Sequence, residues 1–141
     1  MIKQTFYIKE YDWTIYAYFA VDCYYTDEIM EHLFKLRCNG TTAKRAYENL
    51  SACKLDTGLT FSSFELRKTI MVVGLTSSAN EFFNSFNHEL IHCEAHICKA
   101  NKLDPYGEDR AYMVGELSMQ MFPYIQPLLC DKCRNNKLKE D

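Results

Sequence analysis

Ser78-Ala79-Asn80-Glu81-Phe82-Phe83-Asn84-Ser85-Phe86-Asn87-His88-Glu89-Leu90-Ile91-His92 is the stretch on which the reading of this chain turns. Ser78 followed three residues later by Glu81 fits a capping box, so a helix is expected to begin at Ala79 and to run to about Ala100. On a 3.6-residue wheel Phe82, Phe83, Phe86, Leu90, Cys93 and Ile97 share one side, and Ser85, His88, His92 and His96 lie on the other. The element therefore has an apolar back and a histidine-bearing front.

Working outward, residues 3–10 and 13–22 read as two Tyr-, Phe- and Ile-rich strands joined around Tyr11-Asp12 in a hairpin. Ile29, Met30, Leu33, Phe34 and Leu36 recur at helical spacing behind Thr26, a candidate cap, and Asn39-Gly40 ends that run. A short helix is expected over about 42–52, a turn at Asp56-Thr57-Gly58, and strands over 59–66 and 68–75. Beyond the histidine helix, Asp104-Pro105 opens a last long helix to Phe122. Pro123 and Pro127 are expected to break the chain after that helix, with a polar, frayed tail over 134–141. The expectation is one α+β domain over 1–141.

Composition narrows the function classes. At 141 residues with 48% apolar and 25% charged residues, the chain can bury its own core. Its net charge of -3 and scattered basic residues argue against nucleic acid or an anionic membrane as partner. No apolar stretch has the length of a membrane span, and the opening residues are not expected to act as a signal peptide. The seven cysteines are an odd number in a chain without an export signal, which points to reduced thiols and a cytoplasmic location. Cys23, Cys38 and Cys53 read as small core residues. Cys130-x-x-Cys133 has metal-knuckle spacing, but its nearest companions, Cys93 and Cys98, lie on different helix faces. The pair otherwise reads as a reversible disulfide or as two reduced thiols.

The chemistry is carried by His88-Glu89-Leu90-Ile91-His92. Two imidazoles four residues apart project from one helix face and can close on one ion. Zinc suits two neutral histidine nitrogens and a carboxylate, leaving a position for water. Glu89 lies about 100° round the helix from His88, beside the metal without ligating it, where it can take a proton from the bound water. A third ligand has to come from another element. Glu108, at the start of the next helix, is the first candidate, Glu116 competes two turns further on, and Glu94 faces away from the histidines. His96 reads as a rim or surface residue, since the glycine turn that brings a third histidine to such sites is missing.

His88-Glu89-Leu90-Ile91-His92 followed by Glu108-x-x-Ala111-Tyr112 resembles the gluzincin metallopeptidases, and is similar to the ImmA/IrrE-type peptidases of phage and mobile elements. The resemblance covers about residues 68–122. It implies a small zincin-like domain: a mostly antiparallel sheet packed on the active-site helix, then a ligand-bearing helix. It implies a bound Zn2+ on His88, His92 and Glu108, with Glu89 as general base. Tyr112 stands where those families carry Asp or Asn, so it is expected to support a histidine ligand or to face the substrate oxyanion. The resemblance also implies a peptide or protein substrate lying on a sheet-edge strand, for which Lys68–Leu75 is the candidate. The rival expectations are an accessory protein with a structural metal site and a metal hydrolase of a non-peptide substrate. No helix-turn-helix module is present to suggest a DNA-binding role.

Overall fold

The structure is a computed structural model that describes residues 1–140. Its frame is a mixed four-stranded sheet. Strands β1 (Ile2–Ile8) and β2 (Trp13–Val21) form the expected antiparallel hairpin, joined by a 3-10 turn at Lys9–Tyr11. Helices α1 (Thr26–Lys35) and α2 (Gly40–Ser51) come next, then β3 (Gly58–Ser63) and β4 (Lys68–Gly74). The sheet order is β1-β2-β4-β3, with β2 and β4 parallel and the two outer pairings antiparallel. Helices α3 (Ala79–Ala100), α4 (Glu108–Ile125) and α5 (Asp131–Glu140) follow, with a 3-10 turn at Gln126–Leu128 between the last two. Among the described residues no helix is long and apolar enough to cross a membrane.

Alternation along the central strands sorts their side chains to two separate cores. Ile15, Ala17 and Phe19 of β2, with Met71 and Val73 of β4, face α3 and α4. Tyr18 of β2, with Ile70 and Val72 of β4, faces α1 and α2. Because both faces are covered, β4 carries consecutive apolar residues from Ile70 to Val73, as internal strands do. This corrects the expected edge strand. Lys68–Leu75 is interior, and the free edge beside α3 is β3, whose sequence is more polar and less buried.

Helix α3 occupies the expected residues, and Ser78 Oγ accepts the Glu81 amide at 3.1 Å. Five buried side chains (Phe82, Phe86, Leu90, Cys93 and Ile97) stabilise its seating by on the order of 10 kcal/mol together. The cap contributes about 1 kcal/mol, so packing fixes the helix and the cap fixes where it starts. A second residue helps there: Asp131 Oδ1 accepts the Ala79 amide at 2.8 Å.

Several boundaries and roles differ from the sequence reading. Thr26 is not a cap; its hydroxyl donates to the carbonyls of Cys23 and Leu50 and ties α1 to the end of α2. Helix α4 starts at Glu108 rather than Pro105, because Asp104 forms a local turn with the Tyr106 amide. It then runs through Pro123. The missing hydrogen bond costs about 3 kcal/mol, which burial of Met121 and Ile125 on the continuing stripe offsets. The expected frayed tail is helical through Glu140, and Asp141 lies outside the described residues. Cys38 is buried as expected. Cys23 and Cys53 instead form a disulfide with Cα atoms 5.0 Å apart, joining the turn after β2 to the end of α2.

Ser78→Ala should lower unfolding free energy by about 1 kcal/mol. Urea denaturation with an unchanged slope is the measurement, since α3 stays seated by its apolar face.

Candidate active site

The site is a flank of α3. The helix lies across β4 and β3 on its apolar back, so the residues next round the wheel meet the small side chains of β3. Gly58, Thr60 and Ser62 alternate on that face of the strand, while Leu59 and Phe61 pack on the α2 side.

Glu89 turns inward. Its side chain is 8% exposed, against 67% for the neighbouring His88. The Thr60 hydroxyl lies 2.6 Å from Glu89 Oε2 as donor and 3.2 Å from the Glu89 carbonyl. Gly58 makes room for this carboxylate: a Cβ there would come within 2.6 Å of the Val72 carbonyl and 3.0 Å of Glu89 Cγ. Glu89 Oε1 is left facing His88, 4.0 Å from Nε2. A buried carboxylate needs such partners, because desolvating it unpaired costs several kcal/mol.

His88 and His92 are exposed, with ring centroids 4.9 Å apart and planes at 73°. One turn on, His96 is half-buried. Its Nδ1 lies 2.7 Å from Ser62 Oγ, which is 2.7 Å from Thr69 Oγ1, which accepts the Trp13 indole N–H at 2.8 Å. Burial, then the like charges of His92 and Lys99, lower the His96 pKa. His88 and His96 are eight residues apart, about 12 Å along the axis, too far for one ion to hold both. Beside His88 and Glu89 a polar hollow of 310 Å³ opens, bounded also by Asn49, Asp56, Asn84 and Ser85.

The residues expected on α4 do not join this flank. Glu94 is buried on the far side of α3, accepting from Arg110 Nη2 at 2.9 Å and Nε at 3.2 Å. That ion pair, with the packing of α4 on β1, holds α4 across α3 from the histidines. Glu108 is exposed at the first position of α4. Tyr112 is 74% exposed and, with Glu116, borders a different hollow of 300 Å³ against Ile8 and Tyr11. Among the described residues, no three His, Cys, Asp or Glu side chains converge where a metal ion could be held. Two imidazoles with a carboxylate beside them are donors of the kind a divalent ion takes, but they are only part of a ligand set. The third protein donor does not share their flank.

Gly58, Thr60, Ser62 and Arg110 escaped the sequence reading. Only the alternation of small polar with large apolar residues along 58–62 hints that one strand face meets a polar helix flank. Searches against known protein families, curated proteins and solved structures found no match for the chain.

Thr60→Val removes the hydroxyl from a buried carboxylate and should destabilise the fold by about 1–3 kcal/mol by urea denaturation, whereas Thr60→Ser should cost far less. Protonation of His96 is disfavoured in the folded chain, so its contribution is full above the ordinary imidazole pKa of about 6.5 and is lost as pH falls below it. His96→Gln should therefore show a shallower loss of urea midpoint between about pH 7.5 and 5 than the parent.

Proposed function

We propose that this chain is a zinc-dependent hydrolase acting on a peptide bond, with His88 and His92 as its imidazole ligands and Glu89 as its general base. The observation that carries the reading is the pairing of two exposed imidazoles on adjacent turns with a carboxylate whose one oxygen is fixed. A bound zinc would supply Lewis acidity toward a carbonyl and a water that ionises near neutral pH. The protein supplies the rest. Thr60 occupies Oε2 and orients the carboxylate, so Oε1 is the oxygen that takes and returns the proton.

The free edge of β3 supports a peptide as substrate. Gly74 N–H donates to Thr57 O, and Asn49 Nδ2 donates to the Gly58 carbonyl from the outside at 2.8 Å. By the two-residue alternation of an antiparallel edge, the backbone groups of Thr60 and Ser62 also point away from β4. An extended chain added there runs alongside the Glu89 carboxylate. The hollow beside His88 and Glu89 can take one of its side chains.

One observation favours a second reading. Glu89 is buried and bonded as a strut between α3 and β3, a role that suits a non-catalytic accessory protein equally well. Glu89→Gln separates the two. It keeps an acceptor for Thr60, so the fold and metal content persist in both cases, and casein hydrolysis disappears only if Glu89 is the base. Metal content by plasma mass spectrometry on protein purified without chelator should be near one zinc per chain. His88→Ala and His92→Ala should each abolish it, and Glu108→Gln should not, because Glu94–Arg110 keeps α4 on the other flank. Hydrolysis retained in Glu89→Gln, or zinc retained in His88→Ala, contradicts the proposal.

A further inference from the structure

Two exposed cysteines lie close together in the sequence, apart from the candidate site. Cys130 immediately precedes α5, and Cys133 is the third residue of that helix. The Cys133 amide donates to Cys130 Sγ at 3.4 Å, so the sulfur occupies the place of an N-cap oxygen. Both side chains are exposed, whereas the other free cysteines, Cys38, Cys93 and Cys98, are buried. Position and access therefore single out this pair among the free thiols.

We propose that Cys130 and Cys133 are a thiol–disulfide exchange centre, with Cys130 the attacking thiolate, Cys133 the resolving thiol and an accessible disulfide the co-substrate. The helix terminus favours negative charge on Cys130, where the amide of Cys133 donates to the sulfur. That amide falls on the sulfur of Cys130 and lowers its pKa, which gives Cys130 the attacking role and leaves Cys133 to resolve. In Cys93, by contrast, burial pushes the thiol up to about 12.

The exchange balances within the pair and its partner. Cys130 thiolate attacks one sulfur of the incoming disulfide; the Cys130–S bond forms, the old S–S bond breaks, and one thiolate leaves. Cys133 then gives its proton to solvent and attacks Cys130 Sγ, closing Cys130–Cys133 and releasing the second thiolate. The dithiol is oxidised by two electrons and the disulfide is reduced to two thiols.

Closure would be felt at the start of α3. Asp131, between the two cysteines, accepts the Ala79 amide, and Arg134, next to Cys133, donates to the Thr76 carbonyl. The dithiol therefore sits in the segment that holds the first turn of the histidine helix.

The test uses the full-length reduced protein equilibrated in glutathione buffers of stepped ratio and quenched in acid. Trypsin cuts after Lys132 and Arg134, so a closed pair leaves the Cys133-Arg134 dipeptide linked to the peptide that ends at Lys132. Mass spectrometry should find that linked species rising with oxidised glutathione. Cys133→Ser should accumulate one glutathione on Cys130. At about pH 7, Cys130 in Cys133→Ser should be alkylated about tenfold faster than Cys133 in Cys130→Ser. Equal alkylation rates, or no linked peptide at any ratio, would overturn the proposal. So would loss of bound zinc in Cys130→Ser with His88 and His92 intact, which would make the pair a metal knuckle.

Discussion

The contact between Glu89 and Thr60 is the constraint on which the rest of the site depends. It places a carboxylate at the seam between α3 and the edge strand β3, where only 8% of the side chain reaches solvent. A charge cannot rest there without a donor, and the Thr60 hydroxyl is that donor. Nor can the two elements approach so closely unless position 58 lacks a side chain. With the acid fixed inward, the wheel leaves His88 and His92 on the solvent side of the same flank. The imidazole pair owes its exposure to the burial of its neighbour.

A second polar contact one turn on repeats the arrangement. His96 leans on Ser62, which is linked through Thr69 to the indole of Trp13. The seam between α3 and β3 is thus a short polar ladder laid beside a large apolar one. The apolar ladder supplies the stability, on the order of 10 kcal/mol from five side chains of α3. The polar one sets the rotation of the helix, because buried donors and acceptors tolerate only a register in which each is paired. On the opposite flank Glu94 and Arg110 do the same for α4. These two sets of contacts explain why the histidines and the acids of α4 face different ways.

How much of this was legible in the sequence differs by element. The strands, the hairpin and α3 could be read from local pattern, because their periodicity and the Ser78 cap are properties of neighbouring residues. Strand order could not. Both 59–66 and 68–75 read as strands, and which of them lies inside depends on helices covering both faces of the sheet. The role of Glu89 was half legible: the spacing puts it near His88, but its burial depends on Gly58 and Thr60, on a strand far back in the chain. Glu108 shows the same limit. Distance along the chain permits an antiparallel return, whereas the side of α3 on which α4 packs is decided by Arg110, which has no motif. The Cys23–Cys53 bond likewise joins residues whose proximity comes from the seating of α1 against α2.

The central claim is that the exposed imidazole pair beside the Thr60-held carboxylate is a metal centre. Its most direct test is anomalous diffraction, recorded on both sides of the zinc absorption edge, from crystals of the full chain grown with zinc. The account predicts one strong peak between His88 and His92, with Glu89 still bonded to Thr60 and outside the coordination shell. A peak elsewhere with none at the pair, or a metal ligated by Glu89 itself, would contradict it.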